Sequence, residues 1–308
     1  MKRSAALLGL LALLGLPDRA HALANRVFVS ARSGSDANAC DNINTPCQTF
    51  AGAVTQVNAG GEVIALDSGG YGPVTITKAL TIEAPPGILA FIHPPSGTAV
   101  TVNAGGSDVI VLRGLVLNGG TSNGIQYSGG GALHVESCVI SGFTLSGIGF
   151  YSAGQLFVND ATIRDNGVGI AINDPAAMAW IDKSHLVHNT GSGGVGVYQG
   201  HVVVRRSVLS ANGTGLNAGG FVAEESLGGT LGFVENCVLD GNTQGVVVFS
   251  DPASSATIRV SNSTITNNTQ KGVGAGTTGN GTPTLSRVNN TLRDNASDGA
   301  FTGTFTAQ

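Results

Sequence analysis

Two carboxylates and an arginine are the residues of this chain best suited to catalysis. They are Glu136, Asp182 and Arg205, and their separations are multiples of 23 residues. A pair of carboxylates acts as acid and base when glycosidic bonds are hydrolysed. An enzyme that breaks the bond by elimination would instead use the arginine as its base, beside carboxylates that hold Ca²⁺. These three residues are the candidate catalytic group, and Ca²⁺ is expected only for an elimination.

A second set of residues is suited to contact with sugars. It contains His134, Phe157, Trp180, Phe233 and Glu235, and the same position of the repeat adds Val203 and Arg259. Exposed aromatic rings stack on sugar rings, and carboxylates accept hydrogen bonds from sugar hydroxyls. The sequence therefore predicts a carbohydrate-binding strip. The alternative stays open that these residues pair with one another from repeat to repeat, or are covered by a long insertion at residues 219–232.

Both sets owe their spacing to a repeat that runs through most of the chain. Residues 158–166 align without gaps with residues 204–212 and 260–268. Successive copies end at positions 120, 143, 166, 189, 212, 242, 268 and 295, and a Leu or Ile stands three residues before each end. Such self-similarity is typical of solenoid proteins.

Each copy contains short runs in which apolar and polar residues alternate. In one copy these runs include residues 156–158, 161–163 and 170–172. Alternation with period two is typical of strands, and no strand is followed by a helical pattern, which excludes folds built from βαβ units. The sequence predicts an all-β fold, a parallel β-helix with three strands per turn and about 4.8 Å between turns.

The last position of the repeat predicts a ladder of side chains inside the coil. It is occupied by Asn166, Asn189, Asn212, Asn242, Asn268 and Asn295. Asparagine tolerates the left-handed conformation of a tight turn, and stacked side-chain amides can hydrogen-bond between turns. A column of glycines follows, where we expect a turn with positive φ and little space. It consists of Gly124, Gly147, Gly169, Gly215, Gly245, Gly272 and Gly299. This column helps to explain why 47 of 308 residues are glycine, about twice the usual share.

The four cysteines fall into two settings. Cys40 and Cys47 enclose a polar loop that lacks histidine, which favours a disulfide over a zinc site. Cys138 and Cys237 occupy the same small, inward-facing position of two copies. Those copies are four turns apart, about 19 Å, which is too far for a disulfide. We therefore predict two buried free thiols.

The first 24 residues have the features of an export signal. A basic start at Lys2 and Arg3 precedes an apolar run of about twelve residues, and small residues at positions 20, 22 and 24 mark cleavage sites. We expect export to the periplasm or beyond the cell. The run is too short to span a bilayer, and no later segment approaches the necessary length. The net charge of −4 gives no reason to expect a nucleic-acid partner.

The remaining chain divides into a cap and a coil within one domain. Residues 25–62 should form an N-terminal strand, the disulfide loop and a short capping helix, and residues 63–308 the β-helix. Thr45-Pro46-Cys47-Gln48 fits a capping box with proline at the first helical position. Phe50, Val54 and Val57 then recur on one helical face, which would cover the open end of the core.

The order of features near the N-terminus resembles that of a known group. Phe28-Val-Ser-Ala-Arg-Ser-Gly-Ser-Asp36 is followed by the Cys40 to Cys47 loop, the short helix, Gly61-Glu-Val-Ile-Ala-Leu66 and Gly70-Tyr71. In this the chain resembles secreted bacterial right-handed parallel β-helix repeat proteins of the pectin-lyase-like superfamily. The resemblance covers nearly the whole chain after residue 24 and implies a right-handed coil. It implies no single activity, because that superfamily includes lyases, hydrolases, epimerases and adhesins.

The functional expectation follows from the strip and from the motifs that are absent. The sequence has no Asn-Thr-Asp, Asp-Asp or Gly-His-Gly, which are motifs of enzymes in that superfamily. We expect binding of, or scaffolding at, a polysaccharide or cell-envelope glycan, without catalysis, metal or cofactor. Two alternatives stay open. One is a lyase, hydrolase or epimerase acting on uronic-acid polymers through Glu136, Asp182 and Arg205. The other is a structural or adhesive surface protein. The sequence makes no prediction of the oligomeric state.

Overall fold

The computed structural model describes residues 23–214, 218–225, 230–250, 256–275 and 284–306. Residues 1–22 of the predicted export signal lie outside these ranges, as does Gly215. In the described part of the chain, no helix has the length and apolar character needed to cross a membrane.

Three parallel sheets run along the molecule. The first sheet contains Ala24–Val29, Val57–Ala65, Leu80–Glu83, Val109–Arg113, Ala132–Glu136, Gly154–Asn159, Thr230–Glu235, Ala256–Ser261, Thr284–Ser286 and Gly303–Thr304. The second contains Gly69–Gly70, Ala90–Ile92, Leu115–Gly120, Val139–Phe143, Thr162–Arg164, His185–Val187, Val208–Ser210, Val238–Asp240, Thr264–Thr266 and Thr291–Arg293. The third contains Val74–Ile76, Val100–Asn103, Ile125–Gly129, Ser146–Phe150, Gly219–Glu225, Gln244–Ser250 and Lys271–Ala275. Two long strands, Val168–Asp182 and Gly193–Arg205, pass from the third sheet into the first.

The chain visits the sheets in a fixed order, which makes it a parallel β-helix. Each strand pairs with the strand one turn later in the same sheet, and the paired strands run parallel. Inward residues therefore stack on their counterparts, as Ile140, Ile163 and Leu186 do in the second sheet. All three are fully buried. The predicted architecture of three strands per turn is confirmed.

The asparagine ladder is also confirmed. From Asn166 to Asn268, each side-chain Nδ2 donates to the Oδ1 of the next asparagine at 2.7 to 3.2 Å. That Oδ1 also accepts from the backbone N–H of the preceding asparagine. The prediction that the asparagines themselves adopt the left-handed conformation was wrong. The left-handed residues are those just before the asparagines, such as Asp165, His188 and Ala211, with φ of 57°, 54° and 52°. The asparagine side chain is then free to point inward.

The glycine column has a different cause from the predicted one. Its described members lack a positive φ except Gly299, at 69°. What they share is close approach to the next turn. A Cβ on Gly169 would lie 2.3 Å from the carbonyl oxygen of Gly194 and 3.0 Å from Nδ2 of Asn189. Glycine is needed because the ladder and the next turn leave no room for a side chain.

The N-terminal cap forms as predicted but begins later. The helix spans Phe50–Gln56, and Thr49 caps it by accepting a hydrogen bond from the N–H of Gly52. The predicted start at Thr45 was wrong because the chain around Cys47 pairs with the first strand instead. The N–H of Cys47 donates to the carbonyl of Phe28 at 2.9 Å. Residues engaged in that pairing cannot enter a helix.

The cysteines lie as predicted. Cys40 and Cys47 form a disulfide with 5.1 Å between their Cα atoms. Cys138 and Cys237 are free and buried. Burial raises the pKa of the Cys138 thiol to about 12 and that of Cys237 to about 11. Both thiols are therefore protonated and unreactive in the folded protein at neutral pH.

Candidate functional site

The outer face of the first sheet brings the predicted residues into two adjacent columns. The strand register aligns His134, Phe157, Trp180, Val203, Phe233 and Arg259 in the first column. It aligns Glu136, Asn159, Asp182, Arg205, Glu235 and Ser261 in the second. The two columns face outward because alternate residues of a strand point to opposite sides of the sheet, and their neighbours fill the core, although Ser261 is itself buried.

Three rings of the first column stack on one another. The centroids of His134 and Phe157 are 4.6 Å apart, and those of Phe157 and Trp180 are 4.8 Å apart. The rings are nearly parallel, with angles of 16° and 8° between their planes. Each face of Phe157 is therefore occupied by a neighbouring ring. A sugar can reach the edge of this stack, but it cannot lie on the face of its central ring.

Glu136 belongs to a row of ion pairs. The guanidinium of Arg113 contacts the carboxylates of Glu83 and Glu136, at 3.2 and 2.8 Å. The hydrogen bond to Glu136 raises the pKa of Arg113. Arg113 stands one repeat before Glu136 in the second column, so the 23-residue spacing was the signal that would have identified this partner.

The other two candidate catalytic residues are held by different partners. Asp182 accepts hydrogen bonds from Arg206, one of them from Nε at 2.7 Å, and this pairing raises the pKa of Arg206. Arg205 instead contacts Glu235, at 3.1 Å. Although Asp182 and Arg205 are neighbours in register, the structure gives each a separate ion pair. Arg206 lies in the turn after the strand, where the two-residue periodicity carries no information.

The described residues of the predicted insertion at 219–232 lie in the sheets, and residues 226–229 of it lie outside the described ranges. Gly219–Glu225 is a strand of the third sheet, and its Phe221 is fully buried. Thr230–Glu235 returns to the first sheet. The described residues of this segment therefore continue the regular sequence of strands and do not lie over the strip.

The first sheet ends in an open groove of about 660 Å³, which we call the arginine groove. Its lining includes Arg205, Phe233, Glu235, Arg259, Arg287 and Phe305, together with Ser261, Thr304 and Thr306. The guanidinium of Arg259 lies 5.2 Å from the centre of the Phe233 ring, and that of Arg287 lies 5.9 Å from the centre of Phe305. Three predicted site residues, Arg205, Phe233 and Glu235, thus meet in one concavity.

Sequence reasoning missed half of this groove. Arg259 stood in the predicted column, but it was not assigned a role. Arg287 and Phe305 lie in the last turns, where the spacing of the repeat is irregular and gives no signal. Another open groove, of about 450 Å³, lies between the capping helix and the third sheet and holds none of the predicted residues.

The chemistry available on this face is recognition by aromatic rings, guanidinium groups and carboxylates. Across the described ranges, no three His, Cys, Asp or Glu side chains gather into a group that could hold a metal ion. Ion pairs at exposed positions are worth about 0 to 1 kcal/mol each, so their main effect here is to fix the orientation of the side chains.

Two solved structures are similar to this chain over most of its length. Pectate lyase Pel9A aligns with a TM-score of 0.55 and 13% identity, covering 89% of this chain and 80% of its own. The GH136 lacto-N-biosidase from Eubacterium ramulus aligns with a TM-score of 0.50 and 10% identity, covering 92% of this chain and 67% of its own. Identities this low carry the fold but no activity.

The family comparison agrees with the fold. No curated protein matches the chain. The family model described as "Right handed beta helix region" matches residues 98–297, which contain all the residues of the two columns and the groove except Thr304, Phe305 and Thr306. Because this match covers more than half of the sequence, the chain belongs to the right-handed β-helix family.

Proposed function

We propose that this protein binds an extended polysaccharide along the outer face of the first sheet, with the arginine groove as the main contact. The observation that carries the proposal is the groove itself. It combines two phenylalanine rings with guanidinium and carboxylate groups in one concave surface. Sugar sites need this combination, because a sugar presents apolar C–H faces for rings and hydroxyls for hydrogen bonds.

The two columns supply a path that leads away from the groove. Phe233 lies in the same column as Trp180, two turns further along the coil. The spacing of successive turns, about 4.8 Å, is comparable to the length of one sugar unit. A polysaccharide that runs parallel to the coil axis would contact side chains of the two columns at each of its sugar units.

Two carbohydrate-acting neighbours lend support at the level of the fold. One is named a pectate lyase and the other a lacto-N-biosidase. Both names are those of enzymes that act on carbohydrates, so a glycan ligand is compatible with a coil of this kind. Their low identity to this chain means that the choice of glycan depends on the groove and not on these neighbours.

Binding without turnover is the version of this function that we favour. A general acid or base must be able to exchange a proton with the substrate. Glu136 and Asp182 are each held in an ion pair by an arginine, and Asn159, on the turn between them, separates them. The lyase, hydrolase or epimerase alternative would require both ion pairs to open.

The proposed location of the protein is outside the cytoplasm. Residues 1–24 would direct export to the periplasm or the cell exterior and would then be removed. N-terminal sequencing of the protein recovered from cells tests this proposal. We expect the mature chain to begin at Asn25, and recovery of an intact Met1 terminus would contradict export by cleavage.

Affinity electrophoresis through gels that contain different polysaccharides tests binding. We expect at least one polymer to retard the protein and to alter the fluorescence of Trp180, which is the only tryptophan of the chain. Retardation by none of a broad panel would contradict the proposal and favour a structural or adhesive role.

Parallel assays for new reducing or unsaturated ends, with and without Ca²⁺, test catalysis. Turnover that Asp182→Asn abolishes would replace binding by the enzymatic alternative.

A further inference from the structure

The arginine groove has an excess of positive charge. Three guanidinium groups line it, against the single carboxylate of Glu235. That carboxylate contacts Arg205 at 3.1 Å, so these two charges offset each other. Arg259 and Arg287 remain as the source of the excess.

Arg259 and Arg287 differ from the other arginines of this face. Arg113 contacts two glutamates, and Arg206 holds Asp182 through two hydrogen bonds. Within the described ranges, neither Arg259 nor Arg287 forms an ion pair with a carboxylate. Their partners are the rings of Phe233 and Phe305, which attract a cation without neutralising its charge.

This arrangement suits an anion that is attached to a ring. A guanidinium presents its N–H groups as a planar fork that matches the oxygens of a carboxylate or a sulfate. The aromatic rings hold the two guanidinium groups in place and also offer an apolar surface to the C–H groups of a sugar ring. The protein as a whole carries a net charge of −4, so the local excess of positive charge in this groove is opposite in sign to the overall balance.

We propose that Arg259 and Arg287 bind an anionic substituent, a carboxylate or a sulfate, on the polysaccharide. This inference rests on the proposed function and names the chemical class of its ligand. Phe233 and Phe305 would contact the sugar that carries the anion, while the stack of His134, Phe157 and Trp180 would meet the rest of the chain through its edges.

Pairs of polymers that share a backbone but differ in charge provide the test. Polygalacturonate is compared with its fully methyl-esterified form, and dextran sulfate with dextran, in affinity gels at low and high salt. We expect the unmodified protein to bind at least one charged member about tenfold or more tightly than its neutral counterpart, with the difference shrinking as salt rises. The first pair reports on a carboxylate ligand and the second on a sulfate.

Arginine variants then locate the charge effect. Arg259→Gln and Arg287→Gln should each weaken binding of the charged polymer about tenfold and weaken binding of the neutral counterpart by a smaller factor, so that the preference for charge shrinks. Arg26→Gln is the matched control, because Arg26 lies on the same sheet far from the groove and pairs with Glu62. Thermal unfolding verifies that each variant is folded, and the polymer comparison stands without any variant.

The outcomes separate this inference from the proposed function. Equal affinity for the charged and neutral members of both pairs would overturn the inference and leave polysaccharide binding intact. Loss of the charge preference in Arg26→Gln, and not in the groove variants, would also overturn it. If no polymer of any charge binds, the proposed function fails and the inference fails with it.

Discussion

At the scale of single residues, the ladder asparagines illustrate how much depends on one buried amide. Asn189 accepts hydrogen bonds from the N–H and the Nδ2 of Asn166, and it donates to Asn212 and to the carbonyl of Ile163. Removing one asparagine leaves groups of two neighbouring turns without partners. Each buried polar group that loses its partner costs about 1 to 3 kcal/mol.

Asn189→Ala should therefore lower the free energy of unfolding by about 3 kcal/mol or more, as measured by urea denaturation. Asn159→Ala is the matched control, because Asn159 is exposed on the outer face of a neighbouring turn. We expect that change to cost less than about 0.5 kcal/mol. Similar losses in the two variants would mean that the ladder contributes nothing special to stability.

The two free thiols give a second prediction at this scale. Burial holds the pKa of Cys138 and Cys237 at about 12 and about 11, above the value of about 8.5 for an exposed thiol. A thiol reagent at pH 8 should find no reactive group in the native protein and two after unfolding. Since the unfolded thiols ionise first, their contribution to stability is complete below pH of about 8 and declines as the pH rises toward 11. Rapid labelling of native protein would contradict the burial of both thiols.

At the scale of elements, the spacing between turns leaves no room at the glycine column. Gly169→Ala would bring a Cβ within 2.3 Å of a backbone oxygen of the next turn. We expect the unfolding midpoint in urea to fall, with a cost of about 1 to 3 kcal/mol. Gly106→Ala is the control, because its Cβ would meet nothing within 4 Å and its φ is not positive. Unchanged stability of Gly169→Ala would show that the turns can separate easily.

The elements also show what can be predicted from the sequence. The strands and the two outward-facing columns could be predicted from the period of the apolar residues, because each turn repeats the same inward and outward pattern. The helix start did not, because the pairing of Cys47 with the first strand is a contact distant in sequence. The ion pair of Asp182 with Arg206 was likewise hidden, whereas Arg205 and Glu235 are register partners in the predicted column. Arg206 is in a turn with a φ of 48°, and side-chain direction there follows from backbone geometry.

At the scale of the whole molecule, one elongated coil of the right-handed β-helix family carries both the stability and the site. Its turns stack on their neighbours, so a long outer face is a direct result of the fold. Most of that face is occupied by contacts between turns, which include the aromatic stack and the ion pairs. The arginine groove is the part that combines a concave shape with charge not offset by a neighbour, and it is therefore the proposed main contact with a glycan.

The most direct test of this account is the dissociation constant of Phe233→Ala, measured by affinity electrophoresis in the polymer that retards the unmodified protein. Phe91→Ala is the control, because Phe91 is exposed on the second sheet. We predict that Phe233→Ala weakens binding about fivefold or more, and that Phe91→Ala changes it less than about twofold. Equal affinities of Phe233→Ala and the unmodified protein would contradict a glycan site at the arginine groove.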